Sequence, residues 1–288
     1  MKEPEGPFLV NGGSNSSRLP GPSLDLEFAQ LSDPGRHRAH NEDYLGYFQP
    51  ATHAQARTHG WVFALADGVG GQDRGEVASQ AAVEDLVSGF RAAPASEPLG
   101  PLLMRLVQEA NQHVYEIGKN SSPGGTAIAT TLVACGLRFD RVAVAHVGDS
   151  RCYLVRQGQA VALTRDHTVP QEQVRLGLMT AREARGASTR HLLSRSLGTD
   201  LFVNVETSEH QVLPGDVFAL CCDGLHNSVE SSELAAVAGT GADLNAAAER
   251  LVALANDRDG SDNISVQLIR VRSVERVGMY RGRPYKLR

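Results

Sequence analysis

The stretch "ALADGVGGQDRGEVASQ", residues 64–80, joins an apolar run to a segment with helical character. The apolar run stops at Asp67, and three glycines follow it within four residues, Gly68, Gly70 and Gly71. A buried strand that ends on a carboxylate next to a glycine-rich segment has two explanations. Either the aspartate is a turn former after the strand, or the backbone approaches something charged there.

The periodicity on both sides of this stretch predicts the fold class. Helical spacing of apolar residues follows at 75–90 and 99–117 and returns at 231–239 and 244–255. Between 126 and 164, several β-type runs are separated only by short turns such as "RFD" and "QGQ", which indicates antiparallel pairing. Strict alternation of strand and helix is missing, so the pattern favours an α+β fold with a central antiparallel β-sandwich flanked by helix pairs.

Composition changes along the chain predict its domain organisation. Residues 1–23 are rich in Pro, Gly, Ser and Asn, which is typical of a disordered arm. Residues 24–271 contain no internal repeat and no clear second boundary, and we expect one domain there. Within it, the polar, arginine-rich residues 166–198 predict a flap or a small helical insertion. Residues 272–288 form a basic tail.

Composition also excludes several classes of protein. The chain has 288 residues and a net charge of −5, so it lacks the basic footprint of a non-specific nucleic-acid binder. It contains no apolar run of about 18 residues, so no membrane span is expected. The cysteines at 135, 152, 221 and 222 show no zinc spacing. We expect buried free thiols and, with no signal-peptide pattern at the N-terminus, a cytoplasmic protein.

Acidic residues stand at the ends of several predicted strands, where neighbouring antiparallel strands meet. They are Asp67, Asp149 and Asp223, which end strands, and Asp262, which precedes one; an acidic doublet, Glu42-Asp43, lies in the segment "RAHNEDYLG". Clustered carboxylates repel one another unless a cation compensates, and an all-oxygen cluster suits Mg²⁺ or Mn²⁺. Arg38, five positions before Asp43, is suited to grip a phosphate at such a centre. The alternative for each aspartate is a turn former, and for Arg38 a solvated surface residue.

The ordered motifs resemble the PP2C (PPM) family of metal-dependent protein serine/threonine phosphatases, in particular its bacterial members. The resemblance covers residues 24–271 and rests on the motifs "SDPGRHRAHNED", "ALADGVGGQDRGEVAS", "GGTAIATTLVA", "HVGDSRCYLVR", "LTRDHT", "LCCDGL" and "GSDNISV". It implies a β-sandwich flanked by helix pairs, with two Mn²⁺ or Mg²⁺ ions at one end. It also implies hydrolysis of phosphoserine and phosphothreonine on proteins by direct attack of a metal-bound water. A serine/threonine kinase and its substrates are the implied partners.

The resemblance carries roles for individual residues. Asp67 matches the aspartate that bridges both metals, and Gly68 the glycine whose carbonyl binds one of them. Asp223 and Asp262 match ligands of the other metal, while Asp149 with Asp223 matches a weaker third site. Glu42 and Asp43 match acidic residues at metal-bound waters, and Arg38 matches the arginine that grips the phosphate. Residues 166–190 match a variable flap that influences substrate choice.

The departure from the family pattern concerns the proton donor. Some members carry a histidine directly after the "DG" pair and use it as general acid, whereas this chain has Val69. A metal-bound water, His37 or His40 could serve instead, and the sequence leaves these alternatives open.

Other functions fit the sequence less well. Cys135 and Arg141 have the spacing of a cysteine-dependent phosphatase, but their segment predicts strand, turn and strand. Residues 257–262 hint at a calcium loop, but Asp262 stands where that loop needs glycine and Leu268 where it needs glutamate. The main alternative is a catalytically weak PP2C-like module used for binding or regulation. The arginines of the flap and tail are either solvated charge or docking sites for acidic partners.

Overall fold

A computed structural model of the chain contains two five-stranded antiparallel sheets. The structure describes residues 24–69, 74–120, 128–239, 241, 243–280 and 283–286, so the predicted arm at 1–23 lies outside the described residues. The first sheet has the spatial order β1 (Asp25–Asp33), β10 (Ile264–Ser273), β9 (Val217–Cys221), β6 (Arg151–Arg156) and β7 (Gln159–Ala162). The second sheet has the order β2 (Asp43–Phe48), β3 (Trp61–Asp67), β4 (Leu132–Arg138), β5 (Arg141–Val147) and β8 (Glu206–Gln211).

Strand β3 shows why the central strands have continuous apolar sequences. Its first six residues, Trp61 to Ala66, are all buried. The side chains alternate between two covered faces, one against helices and one against the opposite sheet. A strand buried on both faces has no polar face, so the period of two is absent from its sequence.

Amphipathic helices cover the outer face of each sheet. Helices α2 (Gly75–Ala92) and α3 (Leu99–Asn120) pack on the second sheet, and α7 (Ser231–Ala238) and α8 (Leu244–Arg258) pack on the first. A third cluster, including Phe28, Phe63 and Phe218, fills the space between the sheets. The layers are therefore helix, sheet, sheet and helix, which confirms the predicted α+β sandwich. Among the described residues, no helix is long and apolar enough to cross a membrane.

The predicted flap lies between β7 and β8 and contains two short helices, α4 (Val169–Arg175) and α5 (Ala181–Gly186). Thr180 begins α5 with a capping box that also uses Glu183. The two ends of the flap meet where the Val169 amide donates to the Leu192 carbonyl at 2.8 Å.

The structure differs from the sequence-based expectations in several elements. The segment 126–164 looks like one meander, but the chain leaves the second sheet after β5 and enters the first at β6. Strand β2 and helix α1 (His53–Thr58) were missed, as was helix α6 (Asp223–His226). The strand predicted over 201–211 is limited to β8. The basic tail contains a hairpin of β11 (Val277–Tyr280) and β12 (Arg283–Lys286).

Candidate metal centre

The acidic residues gather at one end of the sandwich. Asp43 and Asp67 are register partners at the end of the β2–β3 pair. Asp149 follows β5, Asp223 follows β9, and Asp262 precedes β10. Asp67 interacts electrostatically with all four of the other aspartates. The structure therefore brings together the carboxylates that the strand ends predicted to meet, and it does so from both sheets.

Asp43 is a buried carboxyl without a hydrogen-bond partner. Its side chain is 8% exposed, and neither carboxylate oxygen has a partner among the described residues. Burial is the main cause that raises the pKa of Asp43 to about 7; the neighbouring Ser265 and Cys222 act to lower the pKa, and repulsion from Asp223 and Asp262 acts to raise it. A buried polar atom without a hydrogen bond costs free energy. Two such oxygens therefore indicate a position where a bound group outside the protein chain satisfies them.

Asp67 shows the same imbalance of charge. Burial raises its pKa well above the usual range, and repulsion from Asp43 and Asp223 adds to this. A carboxyl pKa raised by burial and by neighbouring carboxyls indicates a site that lacks compensating positive charge. The donors are carboxylate oxygens, which suit a hard divalent cation such as Mg²⁺ or Mn²⁺. The residues present therefore fit a divalent metal centre.

One sulfur atom also lies at this cluster. Ligand atoms of Asp43, Asp67 and Cys222 lie within 4.8 Å of one another. The Cys222 thiol donates to the Asn263 carbonyl at 3.3 Å and accepts from the Ser265 amide at 3.1 Å. Burial raises the pKa of this thiol well above its usual value, and a hard divalent cation prefers oxygen to sulfur. The carboxylate oxygens therefore stay the predicted ligands.

Backbone contacts fix the end of β3. The Asp67 carbonyl accepts from the Thr130 hydroxyl and from the Thr131 amide, both at 2.8 Å. A Cβ atom at Gly68 would lie 2.4 Å from the Gly75 carbonyl oxygen and 2.8 Å from that of Glu42. Glycine is required at 68 because three backbone segments meet there. Binding of a cation by the Gly68 carbonyl stays a prediction.

The Asp149 carboxyl lies on a turn between the two sheets. Burial raises its pKa to about 7, with repulsion from Asp223 as the next cause. Gly148 before it has φ 102°, a conformation that favours glycine. His167 holds this turn with two hydrogen bonds, since its amide donates to the Gly148 carbonyl at 2.9 Å and its Nδ1 accepts from the Gly148 amide at 3.2 Å.

Asp223 lies at the start of α6 and contacts the flap. His191 Nδ1 is 3.3 Å from Asp223 Oδ2. Burial acts to raise the pKa of Asp223, but the contact with His191 and the nearby His226 bring it below the ordinary value. Sequence reasoning missed His191, because a single histidine within an arginine-rich segment carries no motif.

Arg38 lies at the open side of the centre. Its guanidinium donates to the Asp262 carboxylate at 2.9 Å, and 44% of its side chain is exposed. Burial acts to lower the pKa of Arg38, but Asp262 and Glu42 raise it. Glu42 is half-buried, and burial raises the pKa of its carboxyl. The alternative donors His37 and His40 lie exposed on the same loop.

Asn263 connects this loop to the first sheet, and sequence reasoning missed its role. The side chain of Asn263 is 4% exposed. Its Oδ1 accepts from the Glu42 amide at 2.8 Å, and its Nδ2 donates to the Pro34 and His40 carbonyls, both at 3.0 Å. One amide therefore positions both ends of the loop that carries Arg38.

The structure also bears on the cysteine-dependent alternative. Cys135 lies within β4 and is buried. Burial raises the pKa of its thiol well above the ordinary value, the opposite of what a cysteine nucleophile needs.

Comparisons with known proteins agree with this geometry. The family model described as protein phosphatase 2C matches residues 36–266. The serine/threonine phosphatase Stp of Listeria monocytogenes is 32% identical over 241 residues, covering 83% of this chain and 93% of its own. The protein phosphatase PhpP of Streptococcus pneumoniae is 28% identical and covers 85% of this chain and 97% of its own.

Solved structures show the same relationship. The S. agalactiae serine/threonine phosphatase superposes with a TM-score of 0.78 at 32% identity, covering 86% of this chain and 100% of its own. The catalytic domain of the phosphatase PstP, solved in complex with two manganese ions, has a TM-score of 0.73 at 30% identity and covers 87% and 100%. These similarities and the carboxylate cluster lead to one conclusion. The chain belongs to the protein phosphatase 2C family and is a metal-dependent serine/threonine protein phosphatase.

Proposed function

We propose that the carboxylate cluster holds two Mn²⁺ or Mg²⁺ ions and that the site acts on phosphoserine and phosphothreonine. Asp67 would bridge the ions, with the Gly68 carbonyl on one side and Asp223 and Asp262 on the other. Asp149 together with Asp223 would provide a weaker third site. The observation that carries this proposal is the pair of unpartnered, buried Asp43 oxygens next to Asp67.

The chain's own residues divide the remaining tasks. Bound divalent ions supply Lewis acidity for the phosphoryl oxygens and for the attacking water. Asp43 and Glu42 would accept hydrogen bonds from water and hold it in place, since both Asp43 oxygens are buried without a partner and Glu42 is half-buried next to it. Arg38 would orient the phosphoryl group, because its guanidinium is half-exposed and already at the cluster through Asp262.

The domain and cellular setting are proposals of the same kind. Residues 24–271 would be the catalytic domain, supported by the family match over 36–266 and by strands that run from Asp25 to Ser273. We propose a serine/threonine kinase as the opposing partner, because the substrates of such a phosphatase are phosphoproteins. Four buried free thiols support a reducing compartment such as the cytoplasm.

The test is release of phosphate from p-nitrophenyl phosphate and from a phosphothreonine peptide. We expect turnover with Mn²⁺, loss of turnover with EDTA and recovery when Mn²⁺ is restored. Turnover that persists in EDTA would refute the role of the cluster. Binding of the phosphopeptide without turnover would instead support the catalytically weak module.

A further inference from the structure

A cavity extends from the metal centre beneath the flap. Its volume is about 810 Å³, and its walls include Asp149 and His191, which both belong to the surroundings of the metal centre. The flap contributes one wall through α5 and the residues after it. The opposite wall comes from β6, from the end of β7 and from the residues before α7. A substrate whose phosphate lies at the cluster has this space beside it.

Most charges on the cavity wall are already paired. Arg151 makes two hydrogen bonds to Asp166, at 2.7 and 2.6 Å. Arg165 is 3.1 Å from Glu206. Glu230 serves as the N-terminal cap of α7. Each of these charges is compensated by an ion-pair partner or by the N-terminus of α7. They therefore contribute little to the electrostatic potential inside the cavity.

Two flap arginines on the same wall are not paired. Within the part of the chain that the structure describes, neither Arg185 nor Arg190 lies within salt-bridge distance of a carboxylate, and both are exposed. Arg190 donates from Nε to the His191 ring at 2.7 Å, which leaves its charge uncompensated. The cavity wall therefore presents two guanidinium groups that have no carboxylate partner among the described residues, and Arg190 lies beside His191, which contacts Asp223.

We propose that Arg185 and Arg190 form a specificity subsite for acidic side chains that flank the phosphorylated residue of a protein substrate. This inference rests on the proposed function, because it places the scissile phosphate at the carboxylate cluster. Guanidinium groups pair well with carboxylates, and apart from Asp149 of the metal centre the unpaired charges of the described cavity wall are positive. The subsite selects among phosphoproteins and takes no part in the chemical step.

The expected size of the selection is moderate. Exposed ion pairs of this kind are weak, so two of them should favour an acidic substrate by about threefold to tenfold in kcat/KM. The preference should fall as salt is added, because the charges are solvent-exposed.

The experiment compares matched phosphothreonine peptides with a Glu pair or an Ala pair on the N-terminal or the C-terminal side of the phosphothreonine. Wild-type protein with Mn²⁺ should favour one of the Glu peptides. In R185A/R190A the ratio of kcat/KM between that peptide and its Ala counterpart should fall to about one, and R185E/R190E should prefer a Lys pair. The control R182A removes an exposed arginine from the same helix but outside the cavity, and it should keep the wild-type ratio.

The outcomes separate this inference from the proposed function. Equal use of Glu and Ala peptides by a wild-type protein that hydrolyses p-nitrophenyl phosphate would overturn the subsite alone. An equal loss of the ratio in R182A would also overturn it, since general flap charge would then be the cause. Failure of wild-type protein on p-nitrophenyl phosphate would refute the proposed function itself. If the double variants do not fold, a wild-type preference for Glu that is insensitive to salt overturns the subsite.

Discussion

Replacing Asn263 with alanine should weaken the fold and, separately, weaken phosphate binding. The side chain makes three hydrogen bonds to the backbone of the loop between Pro34 and Glu42, at 2.8, 3.0 and 3.0 Å. The Glu42 amide becomes an unpaired, partly buried donor, and the Pro34 and His40 carbonyls each lose one donor. With about 1 kcal/mol for each of the two bonds to carbonyls and about 1–3 kcal/mol for the orphaned Glu42 amide, we expect a loss of about 3–5 kcal/mol in unfolding free energy.

The effect on activity follows from Arg38, which the same loop carries. Charge-assisted hydrogen bonds to a phosphate are worth about 1.5–3 kcal/mol, so a displaced Arg38 should raise KM by about tenfold or more. Steady-state kinetics with p-nitrophenyl phosphate measure KM, and urea unfolding measures stability in the same protein.

A matched control exists elsewhere in the chain. Asn111 is also fully buried and makes three side-chain hydrogen bonds to backbone, with Gly198, Asp200 and Leu201. Asn111→Ala should lose similar stability and keep a KM close to wild type. If both variants raise KM equally, general destabilisation explains the result and the positioning role of Asn263 is refuted.

Three further predictions address the cluster and the turn beside it. Asp67→Asn should abolish nearly all turnover. The same variant should raise the Tm of the EDTA-treated protein, because it removes a buried carboxyl that is repelled by the neighbouring aspartates. A lower Tm would contradict this repulsion among the carboxyls. Arg38→Ala should mainly raise KM, and an unchanged KM would contradict the phosphate grip. Burial lowers the pKa of His167 to about 4 in the folded protein, whereas the pKa in the unfolded chain is near 6.5. The unfolded chain therefore binds a proton more readily, and the free energy of unfolding falls as the pH is lowered from about 6.5 to about 4. Between pH 6 and pH 4, unfolding of His167→Asn in EDTA should therefore depend less on pH, by up to about 1.4 kcal/mol per pH unit. An unchanged slope would show that His167 does not titrate in this range.

The central strands and the acidic cluster could be predicted because their signals are local. A continuous apolar run that ends on Asp67 or Asp223 indicates a buried strand and a strand-end carboxylate without any knowledge of the rest. Antiparallel pairing then places such ends together. In the structure Asp67 interacts with Asp149, Asp223 and Asp262, as this reasoning requires, whereas its register partner Asp43 lies on a strand that the sequence did not indicate.

The missed features depend on contacts between distant parts of the chain. Strand β2 is short and half-buried, contains Gly46 and shows no clear alternation, so it is held by pairing with β3 rather than indicated by its own pattern. The change of sheets after β5 depends on one left-handed glycine, Gly148, which looks like any turn. Asn263 bonds to residues more than 220 positions away, so its role has no local signal.

The two sheets contribute different parts of the metal centre, and this has a mechanical consequence. Asp43 and Asp67 come from one sheet, whereas Asp223 and Asp262 flank strands of the other. Ions held between these residues would cross-link the two sheets, so that the sheets could not separate without releasing metal. Loading with Mn²⁺ should then make unfolding more cooperative, and the midpoint should rise with the concentration of free metal. In this protein the catalytic ions would also be structural ions, and depletion of metal would loosen the fold at the same end where the chemistry takes place.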